Sequence, residues 1–227
     1  MPAAANRSDA APQAILFDLD GTLVDSERAN VESVVLAVRR LGAELSEEER
    51  AFIIGHSWNE IHAMIARNHR LDVTMAQMIG WAVDEKRALL AVSGYQALPG
   101  AVAAVHRLAA RSQMAVVSGA SRVEVADALA SLGVAAVFHL VLGAEDYENG
   151  KPAPDSYALA MRRLGVTPGR CIAIEDATPG ILAARAAGAR VIAVRAGNFA
   201  GYDLTPADAV VNTLDDVTAE LCDGLVG

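Results

Sequence analysis

The hydrophobic positions of this chain fall into two kinds of pattern. Ala14-Ile15-Leu16-Phe17 is a short unbroken apolar run that enters a polar turn, and residues 114–117, 139–142, 171–174 and 191–194 repeat the form, with 209–211 as a sixth candidate. Runs of this length bounded by turn residues predict strands buried on both faces. Between the later runs lie stretches at helical spacing with recognisable ends. Ser121 and Glu124 stand at capping-box spacing, followed by Leu129, Leu132 and a stop at Gly133. Thr178 and Pro179 occupy cap and first-turn positions ahead of Ile181, in a pattern that Gly188 closes. Strand and helix in alternation predict an α/β fold with a parallel sheet and helices on both faces.

One segment breaks the alternation. From Ser26 to Gly94 no strand pattern occurs; Val31, Val34, Val35, Val38 and Leu41 fall at helical spacing with Gly42 as the stop, and further helical stretches cover 58–68 and 75–92. The sheet resumes after Leu98-Pro99-Gly100. The expected organisation is a flexible tail over 1–13, an α/β core over 14–26 and 95–227, and an inserted helical cap over 27–94. An insertion at the carboxyl end of a strand stands where α/β proteins bind ligands, which makes it a candidate lid.

Composition narrows the partners. Nineteen Lys+Arg against 28 Asp+Glu give a net charge of −9 over 227 residues, which argues against nucleic acid or an anionic membrane surface. The chain is 53% hydrophobic and 21% charged, enough to build a core and too little polarity for wholesale disorder. Its longest apolar stretch, 134–144, is interrupted by His139 and too short to span a bilayer. The tail is Ala-rich and shows no apolar signal core, so no secretory route is expected and the Asn6-Arg7-Ser8 glycosylation pattern is not expected to be used. Cys171 and Cys222 form neither a disulfide framework nor a paired-cysteine metal motif, and are expected as buried free thiols in a reducing, cytoplasmic compartment.

Four elements carry chemistry. Asp18-Leu19-Asp20-Gly21-Thr22 follows the first strand, where residues i and i+2 begin on one side, and two like charges that close need a cation or a shared proton. Ser118-Gly119 ends the second strand, where a hydroxyl and exposed backbone N–H groups make an oxyanion cradle; a serine at such a junction serves equally as a helix cap. The third is Gly150-Lys151-Pro152-Ala153-Pro154-Asp155. Seventeen of the 19 basic residues are Arg, with Lys86 and Lys151 the exceptions, so a compact ammonium between glycine and proline suits a fixed charge aimed at an anion. The fourth, Ile174-Glu175-Asp176, again places two carboxylates at the end of an apolar strand, the oxygen ligands that Mg²⁺ prefers.

In this order the four elements resemble the motifs of the haloacid dehalogenase superfamily, in the group with a helical cap inserted after the first motif, and within it the β-phosphoglucomutase and phosphoglycolate phosphatase relatives. The resemblance covers residues 15–211. It implies a Rossmann-like α/β core with an α-helical cap domain and a Mg²⁺-dependent phosphomonoester hydrolase acting on a small phosphorylated metabolite. Asp18 would be the nucleophile that forms an aspartyl phosphate. Asp20 would be general acid and then base, its backbone carbonyl reaching the metal. Asp176 would bind Mg²⁺, with Glu175 a ligand or a supporting partner; Ser118 and the Gly119 N–H would hold phosphate oxygens; Lys151 would bridge nucleophile and phosphate; and Thr22 would support the loop. A monomer working without nucleic acid or membrane is expected.

The departures bear on the reaction. Asp20 favours phosphate esters, because relatives that cleave carbon–halogen or carbon–phosphorus bonds lack an aspartate there. Mutase relatives place a histidine where this chain has Asn30, and basic residues where Ile54 and Trp58 flank Gly55-His56-Ser57. A mutase must hold a second phosphate and needs those cations, so a phosphatase is favoured and a sugar-phosphate mutase is the alternative. His56 and Trp58 are candidates for substrate contact, with packing the competing role for Trp58. Arg122 serves either as a contact for a distal anion or as a solvated first-turn arginine. His62 and His69 form no metal pattern.

Overall fold

A computed structural model describes residues 11–70 and 72–227. The Asn6 pattern and most of the tail lie outside the described residues. Residues 11–13 are not loose: Ala11 is buried, the Pro12 carbonyl accepts from Ser112 Oγ at 2.7 Å, and Gln13 donates its N–H to the Arg170 carbonyl at 2.8 Å. Their backbone groups extend the pairing that the first strand begins, which is why the polar composition there misleads.

Six strands, β1 (Ala14–Phe17), β2 (Gln113–Val117), β3 (Leu140–Leu142), β4 (Cys171–Glu175), β5 (Arg190–Val194) and β6 (Ala209–Val211), form one parallel sheet in the order β3-β2-β1-β4-β5-β6. The apolar runs become strands because each is covered on both sides: β1 and β4 are buried at every position. On one face Ala14, Leu16, Ala115, Val117, Ala173 and Val191 pack with α7 (Asp155–Leu164) and α8 (Thr178–Ala186). The alternate residues, Ile15, Phe17, Met114, Val116, Ile172 and Ile174, point the other way, where α5 (Ala101–Ala109) lies against β2 and α9 (Ala219–Val226) against β4.

The chain divides into two compact units. The first comprises Met1–Val24, Gln96–Asn198 and Tyr202–Gly227 and contains the sheet. The second comprises Asp25–Tyr95 with Phe199–Gly201 and contains α1 (Glu27–Arg39), α2 (Glu47–Ile53), α3 (Trp58–His69) and α4 (Met75–Ser93). Its core joins Val34, Val35, Val38, Ile53, Ile61, Met64, Ile65, Met78 and Ala82. Helix α2 has no apolar stripe long enough to read from sequence; it is defined by its ends, a capping box of Ser46 and Glu49.

The capping box of Ser121 and Glu124 is present on α6 (Arg122–Ser131). At α8 the cap position belongs to Ala177, one residue earlier than Thr178. The Thr178 hydroxyl instead donates to the Asp203 carbonyl at 2.7 Å, a tertiary bond that displaces the local cap. Among the described residues no helix is long and apolar enough to cross a membrane.

Candidate active site

The strand order brings three of the four sequence elements to one end of the sheet. Strand β1 lies between β2 and β4, with Phe17 level with both Val116 and Ile174. One residue on, Asp18 therefore stands level with Val117 and Glu175, and its N–H donates to the Ile174 carbonyl at 3.0 Å. The chain then turns tightly: the amides of Thr22, Leu23 and Val24 all donate to the Leu19 carbonyl, at 3.3, 2.8 and 3.0 Å. Gly21 has φ of 80°, and a Cβ on it would run into the Asp176 carboxylate, so a glycine is required by conformation and by space.

Three carboxylates are buried together here. Asp18 and Asp176 are each 7% exposed and Glu175 1%, and carboxylate oxygens of the three lie within 4.8 Å of one another. Lys151 arrives from the loop before α7. Its ammonium donates to Asp18 Oδ1 and, at 2.6 Å, to Glu175 Oε1. Glu175 Oε1 also accepts the Tyr157 hydroxyl at 2.6 Å, while Glu175 Oε2 accepts the Asp176 N–H at 3.3 Å. Thr22 Oγ1 donates to Asp176 Oδ1 at 3.3 Å. Gly180, early in α8, approaches so closely that a Cβ on it would strike the Glu175 carboxylate.

Burial in this setting disfavours every charge that lacks a partner. It raises the Asp18 carboxyl well above the usual range, with Glu175 and Asp176 adding to the rise against the pull of Lys151. Asp176 is pushed up to about 7 by burial and by the Glu175 charge. Burial alone would lower the Lys151 ammonium, but Asp18 and Glu175 outweigh it and hold it well above its ordinary value. Three ionised carboxylates against one ammonium leave two negative charges in excess. A hard divalent cation supplies that charge, and buried carboxylate oxygens are the donors it prefers, so the residues present fit Mg²⁺.

Asp20 is half-buried, and its carboxylate is not one of the three that cluster. Ser118 is buried at the end of β2 and Gly119 is exposed just beyond it. The Arg122 guanidinium pairs with Asp146 at 3.4 Å, so it is tied to its own surface. In the helical unit His56 stacks on Phe52 with ring centroids 3.8 Å apart, and Trp58 packs on the helical core. The Asn30 carbonyl accepts from Ser33 Oγ at 2.7 Å. His62 hydrogen-bonds the Val73 carbonyl at 2.6 Å and His69 meets Glu49 at 3.0 Å, both serving the unit's own packing. Cys171 and Cys222 are buried free thiols.

Tyr157 is a site residue that hydrophobic spacing conceals. It sits at an inward position of α7, where periodicity marks it as core, and it is fully buried. The available signal is its chemistry: a buried phenol needs a hydrogen-bond partner, and here that partner is Glu175. The Lys151 ammonium also stands 5.2 Å from the Tyr157 ring centroid, within cation–π range.

The profile of the haloacid dehalogenase-like hydrolases matches residues 15–194 of this chain. The chain belongs to that family. A validoxylamine A 7′-phosphate phosphatase of Streptomyces hygroscopicus subsp. limoneus is 33% identical to this hydrolase over 212 residues, which cover 89% of this chain and 94% of the relative. Hexitol phosphatase A of Escherichia coli strain K12 is also 33% identical, over 218 residues covering 89% and 92%. A haloacid-dehalogenase-superfamily hydrolase from Geobacter sulfurreducens shares the fold, with a TM-score of 0.78 at 21% identity over 99% of this chain and 100% of that one. Family and relatives together make the protein a hydrolase of phosphate monoesters, with phosphatases among its relatives.

Proposed function

We propose that this hydrolase is a Mg²⁺-dependent phosphatase of a small phosphorylated metabolite, of the sugar-phosphate or phosphoglycolate type, working through an aspartyl phosphate on Asp18. The observation that carries the reading is the Asp18 carboxylate, held by Lys151 inside a buried cluster with Glu175 and Asp176. An Asp18 oxygen attacks phosphorus and the ester oxygen leaves, taking a proton from Asp20. Water then attacks the same phosphorus, Asp20 accepts its proton, and the Asp18 carboxylate is released with inorganic phosphate. Lys151 offsets the charge that would otherwise keep a carboxylate and a phosphate apart. Ser118 and the Gly119 N–H receive phosphate oxygens. Asp18, Asp176 and the Asp20 carbonyl would hold Mg²⁺, which would supply positive charge to offset that of the phosphate and the carboxylates. Glu175, whose Oε1 already accepts two donors, holds Lys151 in place.

The helical unit is read as the cap that selects the substrate and excludes water during the first transfer. The names of the Escherichia coli and Streptomyces relatives, a hexitol phosphatase and a validoxylamine A 7′-phosphate phosphatase, support a sugar-alcohol or related small phosphate ester as substrate. The test is phosphate release across a panel of phosphorylated metabolites with Mg²⁺, using Asp18→Asn as the blank and assaying glucose 1-phosphate for its 6-phosphate isomer. Release from one or two members, absent in the blank and abolished by EDTA until Mg²⁺ is restored, is the expected result. Isomerisation without net release would replace the phosphatase with a mutase, and activity surviving thorough metal removal would overturn the metal assignment.

A further inference from the structure

The turn that follows β2 leaves one amide open. Among residues 118–122, Ser118 donates its N–H to the Leu142 carbonyl at 3.1 Å, Ala120 to Ser118 Oγ at 3.0 Å, Ser121 to Glu124 Oε2 at 3.0 Å and Arg122 to Glu145 Oε2 at 2.9 Å. The Gly119 N–H has no acceptor among the described residues, and a Cβ built on Gly119 would meet nothing within 4 Å. A backbone donor left over from the chain's own pairing, on a solvent-exposed residue, is available to an incoming oxygen. The first-turn amides of α6 named above are not available, because carboxylates of this chain already occupy them.

The direction of that amide is set by the carbonyl on the same peptide. The Ser118–Gly119 bond is trans, so the Ser118 C=O and the Gly119 N–H point to opposite sides, and fixing one fixes the other. The Tyr147 hydroxyl donates to the Ser118 carbonyl at 2.7 Å. Burial holds this phenol above its ordinary value, which keeps it protonated and donating. Tyr147 belongs to a segment that braces the whole turn. Ala144 donates its N–H to the Ala120 carbonyl at 2.8 Å, Glu145 accepts the Arg122 N–H, and Asp146 pairs with the Arg122 guanidinium. A Cβ on Gly143 would stand 2.5 Å from the Arg122 nitrogen, so the two segments are in close contact.

We propose that Tyr147 is a positioning residue for phosphate binding: its hydroxyl holds the Ser118 carbonyl and so aims the Gly119 N–H at a phosphate oxygen. The inference rests on the reading of Ser118 and Gly119 as the phosphate-binding turn. Tyr147 acts through the peptide and touches no reacting atom. Removing its hydroxyl frees the peptide to rotate, and the loss falls on phosphate affinity and on kcat/KM together, leaving the metal site and the fold as they are.

The experiment titrates inorganic phosphate, with Mg²⁺ present, into the ¹⁵N-labelled full chain while following the Gly119 amide resonance. The native protein, Tyr147→Phe and Ser118→Ala are compared, with kcat/KM for p-nitrophenyl phosphate measured in parallel. In the native chain phosphate is expected to shift the Gly119 amide downfield. Tyr147→Phe is expected to bind phosphate roughly 3- to 10-fold more weakly, because the Gly119 amide is no longer held in its direction, with a smaller Gly119 shift, a similar drop in kcat/KM and a Tm lower by no more than about a few degrees. A Gly119 amide that ignores phosphate in the native chain overturns the inference without any variant. Weakened binding in Ser118→Ala but native binding in Tyr147→Phe overturns it while the phosphate turn stands. Native binding in both variants overturns the turn, and the inference with it.

Discussion

The two units of the chain treat charge in opposite ways. In the sheet-bearing unit the ends of β1 and β4 bury Asp18, Glu175 and Asp176 together, with Lys151 drawn in beside them. In the helical unit the buried polar residues are Ser26 and Ser33, and its charges pair nearer the surface, as Arg40 does with Glu85 at 2.6 Å and Arg39 with Glu44 at 3.0 Å. Burying ionised groups is unfavourable, which makes a buried cluster of them a candidate functional site. The contrast separates a region organised for chemistry from one organised for packing.

Substitutions in the two units should therefore fail in different ways. The largest effect is expected from Asp18→Asn, which removes the proposed nucleophile without changing shape: turnover should fall by at least roughly a thousandfold while thermal stability holds or rises, since one of three crowded charges is gone. Comparable turnover in that variant would break the assignment of chemistry to the sheet unit. Next comes Ile65→Ala at a fully buried position of the helical core, expected to cost about 2–4 kcal/mol in denaturant unfolding with no change in the Mg²⁺ requirement. Loss of the metal requirement there would blur the contrast. Tyr157→Phe should cost about 1–2 kcal/mol, because Glu175 Oε1 loses one of its two donors inside the core, and it should slow turnover in the same protein; unfolding and steady-state assays together check it.

The smallest effect concerns the neutral part of the sheet unit. Burial pushes the Cys171 thiol up to about 12 and the Cys222 thiol to about 11, so folding favours the protonated forms. That contribution is present in full below the ordinary thiol range and is lost as pH rises through 11 and 12. At pH 8 a thiol-alkylating reagent should label both cysteines at least about tenfold more slowly in the folded chain than in the unfolded one. Equal rates would mean that the thiols are not held as described.

Much of this arrangement is legible in the amino-acid sequence. Each parallel strand is a nearly continuous apolar run because both of its faces are covered, and the acidic residues stand out at the ends of such runs because nothing in packing calls for them there. Tyr157 is hidden for the opposite reason: its ring satisfies the helical spacing of α7, and only the hydroxyl, which periodicity ignores, gives it a second role. Arg122 is hidden by pairing, since an arginine beside the turn proposed to bind phosphate promises an anion contact until Asp146 is seen to take it. The three residues Phe199–Gly201 belong with the helical unit although they lie far along the chain. A Cβ on Gly55 would stand 2.8 Å from Ala200 Cβ, and local pattern carries no trace of so distant a neighbour.

The central place of β1 has a consequence for how the protein is made. Its partner on one side is β4, where Cys171 pairs with Ala14 across most of the chain. During synthesis the strand that leads into Asp18 emerges before β4 and waits, one edge unpaired and Asp18 without Lys151 or Glu175, until the ribosome has passed Glu175. A nascent chain of this kind lacks the buried carboxylate cluster and offers an open strand edge to its neighbours, so the interval before β4 emerges is one of exposure to misassembly.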